Sequence, residues 1–202
     1  MLRIGLVMLQ GARQAHISAL EKASEETGIG IEIYELRKAS DLFSADPHAL
    51  VMPGGESTTM RLTGNDPKSS LLPAVFDWIR SNDERPVLGT CAGAILLAYP
   101  EDGGKPLVDA TIQRNAFGSQ AQSFQSRLEA IALDREFPGV FIRAPRFVET
   151  GTDSEVTATL GEEVVGVRSK NRMALTFHPE LSSDSGFHVW LLQTAEAISA
   201  VA

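Results

Sequence analysis

A single cysteine in 202 residues, Cys91, leaves no partner for an internal disulfide and excludes a four-cysteine zinc site. Basic residues are outnumbered, 18 Lys and Arg against 26 Asp and Glu, and the formal charge of −8 repels phosphate backbones. With no Lys/Arg cluster of nucleic-acid-binding density, nucleic acid is excluded as a partner. Apolar runs such as Ala94 to Tyr99 fall far short of the roughly 20 residues that span a bilayer, so no membrane partner is expected either. The opening Met1-Leu2-Arg3-Ile4 lacks signal-peptide character because its apolar stretch is only strand-length, and a cytoplasmic location is expected. Repeats, linkers and low-complexity segments are also missing. What remains is an ordinary globular composition, 43% hydrophobic and 22% charged, at a length where one α/β domain spanning residues 1–202 buries a full core.

The first half of the chain alternates strands with helices. Arg3 to Met8 reads as a buried strand, Ala12 to Thr27 as a helix closed by Gly28, and Ile29, Ile31 and Ile33 as the period-two face of a second strand. Ala49 to Met52 forms a short third strand, broken by Pro53-Gly54-Gly55. Leu71 to Arg80 carries a helical stripe of Leu72, Val75, Phe76 and Ile79, and Pro86 to Gly89 supplies another buried strand. Such alternation predicts a mostly parallel sheet covered on both faces. From Leu107 to His178 the chain is strand-rich, with β-like segments at Val140 to Ile142, Val156 to Leu160, Val164 to Val167 and Met173 to Phe177, and a hairpin turn at Asn171-Arg172. A closing amphipathic helix is predicted over Gly186 to Val201, with Phe187, Trp190, Leu191, Thr194, Ala195 and Ile198 on one face.

The cysteine sits where chemistry is possible. Gly89-Thr90-Cys91-Ala92-Gly93 lies between a strand and the helix Ala92 to Ala98, in the pattern of a nucleophile elbow with Cys in place of Ser. Small flanking residues permit the strained turn, and the helix start behind the thiol favours a thiolate. A thiol attacking an amide needs a base to carry a proton to the departing nitrogen. Of four histidines, His16 and His188 fall in predicted helices and His48 precedes a strand. His178 ends a strand in Phe177-His178-Pro179-Glu180, and it alone has a carboxylate poised beside it. Pro179 stiffens the link, so Glu180 can turn back to orient the imidazole. Pro53-Gly54-Gly55-Glu56-Ser57 ends the third strand, where open α/β sheets bind ligands. The N–H groups of Gly55 and Ala92 are then candidates for an oxyanion hole, although the same segment also reads as a type II turn capped by Ser57.

Taken together, these pieces resemble the class I, triad-type glutamine amidotransferases. The strings LQGARQAHI, PGGESTTM, GTCAG, QRNAFGSQ, GVFIRAP and TFHPEL are similar, in order and across almost the whole chain, to the glutaminase subunits of pyridoxal 5′-phosphate synthases. The resemblance implies a flavodoxin-like three-layer α/β sandwich with a mostly parallel central sheet and added antiparallel strands. It also implies a subunit that hydrolyses L-glutamine while docked on a ring-forming synthase, which makes pyridoxal 5′-phosphate from ribose 5-phosphate and glyceraldehyde 3-phosphate. No metal or cofactor is implied. Carried over residue by residue, Cys91 is the nucleophile, His178 and Glu180 its relay, and Gly54, Gly55, Glu56, Arg114, Ile142 and Arg143 the glutamine site. A guanidinium from Arg114 or Arg143 suits the α-carboxylate of glutamine, and a carboxylate such as Glu56 or a backbone carbonyl suits its α-ammonium. Gln10 and His16 read by residue type as loop and helix surface, in a region the family places near the synthase contact. The chain departs from the family at Ser119, usually Arg, and in a shortened stretch from Pro100 to Val108. Rival readings are a glutaminase serving an imidazole glycerol phosphate or cobyric acid system, a cysteine-containing chaperone of flavodoxin-like fold, and a catalytically silent scaffold. LQGA, FIRAP and the intact Cys91, His178 and Glu180 argue against them.

Overall fold

A computed structural model of the protein describes residues 1–114 and 123–201. Its centre is a nine-stranded sheet. The parallel part comprises β1 (Leu2–Val7), β2 (Ile31–Leu36), β3 (Ala49–Met52), β4 (Val87–Thr90) and β11 (Arg172–Leu175), in the order β2-β1-β3-β4-β11. From β11 the sheet continues antiparallel through β10 (Glu163–Ser169), β9 (Glu155–Leu160), β6 (Phe124–Ala130) and β7 (Arg135–Phe141). A separate antiparallel pair joins β5 (Ala110–Gln113) to β8 (Arg146–Thr150).

The central strands β3 and β4 are buried along their whole length because both faces are covered, whereas the edge strand β2 is only partly buried. Along β3, Ala49 and Val51 enter the core on one face while Leu50 and Met52 enter the core on the other. The first core is closed by α1 (Arg13–Thr27) and α6 (Gly186–Ser199), which pack against each other through residues such as Leu20 and Leu191. The second is closed by α2 (Ala39–Ala45), α3 (Ser57–Gly64), α4 (Leu71–Arg80) and α5 (Ala92–Ala98), which contribute Leu42, Met60, Val75 and Leu96. Helix–sheet–helix layering of this kind is the expected sandwich, with the expected antiparallel extension. Among the described residues no helix is long and apolar enough to cross a membrane.

Some local expectations shift. The β10–β11 turn is Lys170-Asn171, with Lys170 at φ 54°, and Arg172 is already the first residue of β11. Its guanidinium reaches back to Leu107 O and Asp83, which commits Arg172 to the folded body rather than to a turn. Met173 to Phe177 is a strand only as far as Leu175, and His178 stands beyond it, held by its N–H donating to Val140 O at 2.8 Å. The segment after the third strand is no simple turn. It leads into α3, whose N-cap is Glu56 rather than Ser57. Ser119 and the end of the QRNAFGSQ string lie outside the described residues.

Candidate active site

Four loops leaving the carboxyl ends of β1, β3, β4 and β11 converge, and they carry Gln10, Gly54-Gly55-Glu56, Cys91 and His178. In open α/β sheets this is where ligands are held, because the strand ends and the following helix starts leave a crevice there. A cleft of about 510 Å³ opens at this edge, and its lining includes Gly55, Glu56, Cys91, Arg114, Arg143 and His178. Ile142 lines it too, whereas Gly54, Ala92 and Glu180 stand behind the lining.

Cys91 is the hinge between β4 and α5. Its backbone sits at φ 49° and ψ −108°, a region disfavoured for any residue with a Cβ and costing on the order of 1–3 kcal/mol. The surroundings enforce it: the Cys91 N–H donates to Leu175 O at 2.8 Å, while its own carbonyl accepts from Ile95 N at 3.3 Å. Close approach of α5 to β3 explains the second glycine of the elbow, since a Cβ on Gly93 would stand 2.0 Å from Met52 O. The thiol itself is 6% exposed and points toward Ile142 O at 3.9 Å. Ala92, buried directly behind it, is the first residue of α5, so its N–H has no carbonyl one helical turn back to pair with.

His178 and Cys91 flank Gly54. A Cβ built there would meet His178 Cε1 at 2.7 Å and Cys91 Cβ at 3.1 Å. The Nδ1 of His178 bonds Glu180 Oε1 at 2.8 Å, made possible by the short 3₁₀ turn Pro179–Leu181 that Pro179 initiates. Burial works against a charge on this ring, but its contact with the Cys91 thiol and the bond to Glu180 prevail and raise the His178 pKa. Burial likewise pushes the Glu180 carboxyl up. The bond from His178 and the proximity of His16 more than cancel that, and the carboxyl lies below its usual range.

The remaining candidate residues meet at the cleft in unequal states. Arg143 is exposed, at φ 45°, and no ion-pair partner engages it among the described residues. Arg114 is half-buried and bonded to Glu101 at 3.2 Å. Glu56 lines the cleft with its carboxylate already accepting from Thr58 N at 2.9 Å and Thr59 N at 2.7 Å. The Thr58 N–H, then the Thr59 hydroxyl and N–H, hold its pKa near 2. Its charge thus faces the cleft while also capping α3, where a helix start favours an anion.

Residue type placed Gln10 correctly at a loop surface but misplaced His16. Gln10 is solvent-facing, yet its Oε1 accepts from Glu56 N at 2.5 Å and lies where a Cβ on Gly55 would be, so it braces the Gly-Gly loop. His16 is completely buried rather than on a helix surface, as is His188. A signal was present in both cases. His16, Ala19, Leu20 and Ala23 follow the i, i+3, i+4, i+7 spacing of a buried stripe, and so do His188, Leu191, Leu192 and Ala195.

Gly54→Ala should lower any turnover that depends on Cys91 and His178 by about ten- to a hundredfold while the chain stays folded, because His178 must move aside and misplacements of about 1 Å cost that much. Steady-state assays beside a far-ultraviolet circular dichroism spectrum would check this, and wild-type turnover would contradict the packing argument.

The sequence model of the SNO glutamine amidotransferase family matches residues 6–197. The chain belongs to the SNO glutamine amidotransferase family. A Thermococcus onnurineus protein named pyridoxal 5′-phosphate synthase subunit PdxT is 40% identical over 96% of this chain and 100% of its own length. A Dehalococcoides mccartyi protein of the same name is 42% identical over 96% and 98%. A crystal structure described as a glutamine amidotransferase superposes with a TM-score of 0.78 at 37% identity, covering 96% of this chain and 98% of that one. The match covers nearly the whole length of these relatives, with the cleft at the sheet edge inside the span of the family model.

Proposed function

We propose that this chain is a single glutaminase domain that hydrolyses L-glutamine to L-glutamate and ammonia through Cys91, His178 and Glu180. The ammonia passes to the ring-forming subunit of a pyridoxal 5′-phosphate synthase. One observation carries the reading: a cysteine on a left-handed backbone and a carboxylate-anchored histidine flank Gly54 in the cleft of a glutamine amidotransferase fold.

The chemistry follows from the positions. His178 takes the thiol proton and Cys91 Sγ attacks the side-chain amide carbon of glutamine, forming the C–S bond as the carbonyl oxygen becomes an oxyanion. The N–H groups of Gly55 and Ala92 receive that oxyanion. Its collapse breaks the C–N bond, and His178 returns the proton to the departing nitrogen, so ammonia leaves and a γ-glutamyl thioester remains. Water, deprotonated by His178, attacks the thioester and restores the thiol. Glu180 holds the ring in one tautomer and balances its charge throughout. Arg143, at the cleft with no ion-pair partner among the described residues, suits the α-carboxylate of glutamine, with Arg114 in the same lining, and Glu56 and Ile142 complete the pocket.

The choice of synthase rests on the relatives, which are named as subunits of pyridoxal 5′-phosphate synthase over nearly their whole lengths. Its test is nitrogen transfer. With the ring-forming subunit, ribose 5-phosphate, glyceraldehyde 3-phosphate and amide-¹⁵N glutamine, the label is expected in the pyridine ring. Glutamate release without ring label would remove the partner assignment; no glutamate release would remove the glutaminase itself.

A further inference from the structure

The proposed reaction uses three side chains, but the buried polar chain does not stop at Glu180. The same oxygen that accepts from His178, Oε1, lies 3.4 Å from His16 Nε2, and His16 Nδ1 lies 3.2 Å from His188 Nε2. His16, on α1, and His188, on α6, are wholly buried, and their rings meet at a tilt of 56°. Glu180 has a side chain of 0% exposure, and its second oxygen, Oε2, has no hydrogen-bond partner among the described residues. A buried carboxylate with one hydrogen bond is expensive, and His16 Nε2, itself without a hydrogen-bond partner among the described residues, stands within ion-pair range of Oε1 but out of hydrogen-bond alignment, so a small adjustment of either side chain would supply the missing donor.

The tautomers of the two histidines follow from electrostatics. If His16 carried its proton on Nδ1, the bare lone pair of Nε2 would face a carboxylate at 3.4 Å, which is repulsive. With the proton on Nε2, Nδ1 becomes an acceptor that His188 Nε2–H can satisfy, and the proton of His16 lies on the ring nitrogen nearer Glu180. Burial keeps both rings neutral by lowering their pKa values, that of His188 to about 3.

We propose that His16, fixed in its Nε2–H tautomer by His188, is a positioning residue that keeps Glu180 ionised and in place behind His178. This deepens the glutaminase reading and rests on it. The groups facing Glu180 are His178 with Cys91 beyond it, His16 from α1 and His188 from α6. From β7 comes the Val140 carbonyl, taken by the His178 N–H. The charged groups nearby are engaged elsewhere: Arg135 with Asp184, Lys22 with Ser183 O, and Glu26 with Ser185.

Two amide variants separate the roles of the two ring nitrogens. His16→Gln can place an N–H where Nε2 stood, whereas His16→Asn can reach His188 but not Glu180. In the complex with its synthase partner, His16→Asn should lose about tenfold in kcat with little change in KM. Its acid limb should move up by about one pH unit, because a carboxylate stripped of a donor is more easily protonated. His16→Gln should stay within about threefold of wild type with its acid limb in place. A residue that merely filled the core would not move the limb, and would not rank Gln above Asn. Equal profiles for both variants and wild type would overturn the proposal. The tautomer is open to a second test on the isolated chain: ¹⁵N spectra of histidine-labelled protein should show His16 neutral, protonated on Nε2, from about pH 5 to 8. An Nδ1–H form or a titrating His16 overturns the proposal even where no glutamine is hydrolysed, an outcome that by itself counts against the glutaminase reading instead.

Discussion

Cys91→Ala is expected to reduce glutamine hydrolysis in the synthase complex by at least about 10³-fold, equivalent to roughly 4 kcal/mol of transition-state stabilisation. The loss is chemical and not structural. Alanine keeps the Cβ, so it meets the same backbone demand at φ 49°, and only one nearly buried sulfur, with its contacts to Ile142 O and His178, disappears from a hinge whose main-chain hydrogen bonds remain. The unfolding midpoint should therefore stay near the wild-type value. Ammonium salt added to the variant complex should restore pyridoxal 5′-phosphate synthesis, because the partner's own chemistry is intact. A glutamine-like diazo-ketone should label wild-type Cys91 and leave the variant unlabelled. Retention of a tenth of the wild-type rate, or labelling elsewhere, would remove Cys91 from the mechanism.

His178→Asn should cost nearly as much, about 10³-fold, and Glu180→Gln less, about ten- to a hundredfold. The difference lies in what each side chain touches. His178 contacts the Cys91 thiol and carries every proton in the proposed cycle, whereas Glu180 contacts only the far nitrogen of the ring. Glutamine at position 180 keeps an oxygen for Nδ1–H but brings no charge to balance the imidazolium. The ratio of the two losses is the measurement, taken from kcat/KM in the complex. A Glu180→Gln enzyme as active as wild type would reduce the apparatus to a dyad and make the buried chain behind it irrelevant.

Much of the fold was legible because its signals are local. Ala49–Met52, Leu71–Arg80 and Ala92–Ala98 have the bounds that apolar runs and helical stripes predict, since the first and last are apolar and buried throughout and Leu71–Arg80 is buried on its stripe. Helix α2 went unanticipated because only Leu42 and Ala45 of its seven residues are buried, too few to set a period. Strand β6 hides for a related reason: Phe124–Ala130 interleaves charged and polar residues with few apolar ones, and it is the antiparallel pairing with β7, from Phe124 with Phe141 to Ala130 with Arg135, that fixes it as a strand.

What the sequence by itself determined is the chemistry available: one thiol, a histidine two residues from a carboxylate, a Gly-Gly loop after a strand, and the alternation that makes an α/β sandwich. Spacing along the chain sufficed there, because elbows, caps and strand ends are built from neighbours. Only the tertiary structure decided which groups meet. It set Cys91 and His178, 87 positions apart in number, on either side of Gly54, engaged Glu56 as a helix cap, and left Arg143 without an ion-pair partner among the described residues while tying Arg114 to Glu101. It also turned two helix histidines inward until they met behind Glu180. A helical stripe says that a side chain is buried, but the partner it finds is set by how α1 and α6 pack against each other and the sheet, and no local pattern carries that information.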